Sequence, residues 1–151
     1  MGGEVMKSKY FKIQELVSEE VYKKYGEKAW EFIKPEIILF LDSIREYYGK
    51  PVIVNNWLYG GELKQRGLRA NKDEMVEKKT DLYVSQHCLG GAVDFNVQGV
   101  PPEEVAKHIL KNESHYRNFI SRIENPKQTK TWTHVDCANT ENEEKIIIFN
   151  A

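Results

Sequence analysis

A chain of 151 residues fits one domain with a single buried core. Charged residues make up 30 % and apolar residues 40 %, the mix of a globular protein rather than a disordered one. The net charge of -1 leaves no basic footprint for nucleic acid, and no apolar run nears the ~20 residues of a membrane span.

The first residues lack a basic region followed by an apolar stretch and a small-residue cleavage site. Synthesis in a cytoplasm without a signal peptide is therefore expected. Ser18 caps a short predicted helix over residues 19–25, and Gly26 ends it. Pro35 fits as the first residue of a second helix or as a kink. From there Ile37, Ile38, Leu41, Ile44 and Tyr48 recur at helical spacing until Gly49 and Pro51 stop the run. Val52-Ile53-Val54 reads as a short buried strand. Residues 55–80 are long, polar and without a clean period. A loop of that length is usually functional or carries short helices of its own.

Residues 92–97 alternate, with Val93, Phe95 and Val97 on one face and Asp94 and Asn96 on the other. Gly99 to Pro102 turn the chain. Glu103 and Glu104 open a helix whose apolar positions are Val105, Ile109 and Leu110. Residues 119–124 and 131–137 read as two strands joined by residues 125–130, and residues 145–149 read as a last strand. Helices followed by strands, with one helix interposed, make α+β the natural class.

Chemistry concentrates in two places, Ser85-Gln86-His87-Cys88-Leu89-Gly90-Gly91-Ala92-Val93-Asp94 and Trp132-Thr133-His134-Val135-Asp136. A catalytic zinc site takes three His or carboxylate ligands and leaves its fourth position to water. His87, Asp94 and His134 supply that count. Zinc lowers the pKa of water and polarises a carbonyl, which is the chemistry of peptide hydrolysis. A closed structural site of His87, Cys88, His134 and Cys137 is the rival. It fails on geometry, because adjacent residues diverge in extended chain and residues three apart on a strand face opposite ways. Two cysteines are also too few for a disulfide framework.

The motif Ser-x-His-x-x-Gly-x-Ala-x-Asp followed by Trp-x-His-x-Asp resembles the zinc peptidases that cut peptidoglycan stem peptides. These are the D-alanyl-D-alanine carboxypeptidases, D-Ala-D-Ala dipeptidases and phage L-alanyl-D-glutamate endolysins, whose fold the hedgehog signalling domain shares. The resemblance spans roughly residues 37–149. Asn55-Asn56-Trp57, Gly60-Gly61 and Arg66-Gly67-Leu68-Arg69 look most like small phage-encoded members. It implies a hedgehog-like α+β fold, with an antiparallel sheet carrying the metal and helices on one face. It implies zinc at His87, Asp94 and His134. Ser85 would support the first ligand by hydrogen bonding, and an arginine before the motif would hold a substrate carboxylate.

Arg66 and Arg69 are the candidates for that grip, since a guanidinium takes a carboxylate bidentately. Arginines in a polar loop are more often solvated or paired with Glu. The family places a general base just before the second histidine, where this chain has Thr131 and Trp132. Neither accepts a proton from water. A turn centred on Gln128 would pair Glu124 with Trp132, on the face of His134 and Asp136, and make Glu124 the substitute base. Asp136 either accepts a hydrogen bond from a ligand histidine or caps the strand end. Trp57, Tyr59 and Trp132 could wall a cleft, though core packing is the commoner role of an aromatic. His108 and His115 read as surface histidines.

The expectation is a single metallopeptidase-like domain over residues 1–151, with residues 1–26 as an N-terminal helical extension. It would be a monomeric zinc hydrolase of peptidoglycan, phage-encoded and acting on the cell wall. The alternative is a silent peptidoglycan-binding or phage structural module that keeps zinc as a staple.

Overall fold

The computed structural model of the chain describes residues 5–64, 66–68, 90–140 and 144–151. The helices begin and end where local chemistry dictates. Ser18 accepts a hydrogen bond from Val21 N at the start of α2 (Glu19–Tyr25), and Gly26 ends it at φ 56°. Pro35 opens α3 (Pro35–Tyr48) at its first turn, where a missing N–H costs nothing, and Gly49 closes it in the left-handed region. A short α1 (Ile13–Leu16) precedes these, and a 3-10 helix (Gly26–Phe32) links α2 to α3. Further on, α4 (Pro102–Lys111) and α5 (Glu113–Tyr116) form the connection between two strands of the sheet.

The sheet has five strands: β1 (Val52–Ile53), β2 (Ala92–Val97), β3 (Arg122–Glu124), β4 (Thr133–Asp136) and β5 (Ile147–Phe149). Their spatial order is β1-β2-β4-β3-β5. Every neighbouring pair is antiparallel except β3 and β5, which run parallel. This corrects the expectation of a wholly antiparallel sheet. The parallel register pairs Arg122 with Ile147, Ile123 with Ile148 and Glu124 with Phe149. The strands are also shorter than the apolar runs suggest, because residues 117–119 belong to a turn after α5.

One sheet face carries the core. Val93, Phe95 and Val97 are buried there with Ile123 and Val135. Phe40 of α3 meets Phe95 edge-on at 5.6 Å and Tyr116 of α5 at 5.6 Å. Residues from the first helices join the same core: Ile13, Leu16, Val17, Val21 and Trp30 are all buried in it. The mixed α+β class is as expected. Gly90 sits at φ 72°, and a Cβ there would collide with the Phe32 carbonyl, so the chain can enter β2 past the 3-10 helix only with glycine.

The other face holds Asp94, Asn96, Arg122, Glu124, His134 and Asp136. This follows from the period of two and from the register Asp94↔His134 and Arg122↔Asp136.

Candidate metal centre

The pairing of β2 with β4 places Asp94 directly across from His134. His134 Nδ1 and Asp94 Oδ1 are 2.7 Å apart, and His134 Nε2 lies 3.0 Å from Asp136 Oδ2. The imidazole thus lies between two carboxylates, 40 residues apart from one of them in sequence. Burial alone would lower the His134 pKa. The hydrogen bonds that the ring donates to Asp136 and Asp94 outweigh it and push the value up to about 9. Burial likewise opposes ionisation of Asp136, but His134, Arg122 and the Ala138 N–H hold its carboxyl down to about 2. Asp136 therefore makes the histidine contact expected of it, and it also accepts a hydrogen bond from Ala138 N at 3.1 Å.

Asp94 and His134 bring together two donors of the kinds a divalent ion takes. One imidazole nitrogen and one carboxylate oxygen adjoin, and the far nitrogen is held by a second carboxylate, the support usual for a metal-bound histidine. The third expected ligand, His87, lies outside the described residues, as do Ser85, Arg69 and Cys88. Among the described residues no group of three or more His, Cys, Asp or Glu side chains is placed to hold a metal ion.

Cys137 lies off this face. It packs against the core, its Sγ donates to the Phe119 carbonyl at 3.2 Å, and burial pushes its thiol up to about 11. That placement agrees with leaving Cys137 out of the ligand set.

Arg66 reaches the site along the opposite edge of β2. Its carbonyl accepts from Asp94 N at 2.8 Å, and its guanidinium Nη2 donates to Asn96 Oδ1 at 2.6 Å. Burial lowers its pKa, with Asp94 opposing. Asn55 delivers this segment: its Oδ1 accepts from Arg66 N and its Nδ2 donates to the Val17 carbonyl. Trp57 donates to the same Val17 carbonyl and lies tilted against Tyr22 with ring centres 6.0 Å apart, so it braces the loop. Asn56 closes the loop through Leu63 N. Tyr59 is exposed and Trp132 half-buried.

Glu124 is on the site face. The register runs Ile123↔Val135, which carries Glu124 to the level of His134 rather than of Trp132. The shift from the expected register is two residues, so the face is preserved. The Glu124 carboxyl is raised, first by burial and then by Asp94 and Asp136, against the opposing pull of His134 and Arg122.

Sequence reasoning missed Arg122. Its Nε and Nη2 donate to Asp136 Oδ1 and Oδ2, both at 2.8 Å. Only the β3–β4 register reveals this, since Arg122 belongs to no motif. His108 is a second departure. It is half-buried, stacked on Tyr47 with ring centres 3.8 Å apart, and its Nε2 lies 2.6 Å from Tyr116 Oη. His115 is exposed, as expected, and pairs with Ser43 at 2.9 Å.

No family model matches the chain, and no curated protein and no solved structure matches it. No helix among the described residues is long and apolar enough to cross a membrane.

Proposed function

We propose that this sheet face is a zinc-dependent peptidase site acting on peptidoglycan stem peptides. The observation that carries the reading is the pairing of Asp94 with His134 Nδ1, with the far nitrogen of the ring on Asp136. The resemblance of the two motifs to D-alanyl-D-alanine carboxypeptidases, dipeptidases and endolysins supplies the substrate class.

His87, Asp94 and His134 would hold the ion. Bound there, zinc supplies a Lewis acid for the scissile carbonyl and lowers the pKa of water. The remaining work falls to the chain. Arg66, held on the site face by Asn96, binds a substrate carboxylate. Glu124, level with His134 and raised by burial, accepts the proton of the attacking water and returns it to the leaving amine. Asp136 holds the ligand histidine in place.

Thr131 and Trp132, at the positions where the resembling enzymes keep their base, favour a second reading: a silent peptidoglycan-binding or phage structural module stapled by zinc. Mass spectrometry of muropeptides incubated with zinc-loaded protein separates the two. Cleavage that stops on chelation is expected. A zinc-loaded protein that sediments with purified cell-wall sacculi but cuts no stem peptide would transfer the assignment to the second reading.

A further inference from the structure

We infer that Arg122 is a positioning residue of the metal centre, acting on His134 through Asp136, and that Phe149 of β5 locks it there. The inference rests on reading Asp94 and His134 as ligands. It adds two residues that no motif contains.

The geometry is a closed circuit of four side chains on three adjacent strands. Arg122 on β3 grips both oxygens of Asp136 on β4, at 2.8 Å each. Asp136 Oδ2 meets His134 Nε2 at 3.0 Å. The Arg122 guanidinium lies on the Phe149 ring, 3.8 Å from its centre. Phe149 in turn meets the His134 ring edge-on at 5.6 Å and 75°.

Each contact removes a freedom. A carboxylate gripped at both oxygens cannot rotate, so Oδ2 stays aimed at the ring. An ionised carboxylate only accepts, so Asp136 keeps a proton on Nε2 and directs Nδ1 toward Asp94. Phe149 blocks the ring from swinging away and covers the guanidinium against water. Loss of the Arg122 grip frees the carboxylate, and the ring can then flip and exchange Nδ1 for a carbon. Lysine cannot substitute, because a point charge does not fork across two oxygens.

Zinc affinity is measured by chelator competition on wild type, Arg122→Gln and Arg122→Lys, beside a thermal melt of each. Arg122→Gln should bind zinc about ten- to a hundredfold more weakly, and Arg122→Lys should recover little of the loss. In the metal-free proteins, nitrogen-15 spectra of the His134 ring should show an exchange-protected Nε2–H in wild type that both variants lose. An arginine with a merely structural role would lower the melt and move neither readout. Unchanged affinity in Arg122→Gln, or ring signals unchanged in both variants, overturns the inference. A wild type that takes no zinc removes the metal reading, while the ring spectra still judge Arg122. If both arginine variants fail to fold, Phe149→Leu replaces them. It keeps an apolar cover without the flat face, and wild-type affinity and ring signals in that variant overturn the inference.

Discussion

His134 is nearly buried between two carboxylates, so each partner matters more than it would in water. Asp94→Asn and His134→Ala should each strip zinc from the purified protein, read as metal per chain by elemental analysis. A variant that keeps its full metal complement would drop out of the ligand set. Glu124→Gln keeps the shape of the side chain and removes the proton acceptor. It should retain zinc while muropeptide turnover falls roughly a hundred- to ten-thousandfold; equal turnover would place the base elsewhere. Asp94, His134, Asp136 and Glu124 were legible from the residues because strand alternation puts them all on one face. Arg122 was not, since a single arginine between Ser121 and Ile123 means nothing until the strands are in register. Nor was the buried contact of His108, because its partners Tyr47 and Tyr116 come from two other helices.

At the scale of elements, α2 was readable to the residue from Ser18 and Gly26, and the end of α3 from Gly49, because caps and stops are local; Pro35 left the start of α3 open between a first turn and a kink. The direction of β5 was not readable, since it is set by pairing with β3, a partner more than 20 residues away that no local signal names. The contact of α3, α4 and α5 through His108 has a pH consequence. Burial, then His115, lowers the His108 pKa from its ordinary 6.5, so the folded protein favours the neutral ring. The stability this contributes is fully present above the unfolded value and is lost as pH falls through the folded one. Urea unfolding of wild type and His108→Gln, compared at about pH 7.5 and about pH 5, isolates the effect. The wild type should lose more stability than the variant on acidification. Equal losses would show that the packing tolerates the charged ring.

The described residues of the molecule share one core, and residues 13–21 contribute to it directly. Only the helix from Glu19 was evident in its cap; α1 and the engagement of the segment were not, because Val17 meets Asn55, Trp57 and Leu68 across long separations. Zinc that binds only the folded chain stabilises it by mass action. At a hundred times its dissociation constant the gain is about 2.7 kcal/mol, seen as a higher urea midpoint with zinc than with chelator. An unchanged midpoint in a protein shown to hold zinc would mean that the unfolded chain holds it as well. The ladder that unites Asp94 with His134 also sets an order of events. Helices such as α3 can form from neighbours in sequence, whereas the β2–β4 ladder must bring together Asp94 and His134 across a separation of 40 residues that α4 and α5 span. Closing so distant a contact is slow beside helix formation. An ion held as proposed would find its site only once that ladder has closed, and metal uptake during refolding would time the closure of the sheet.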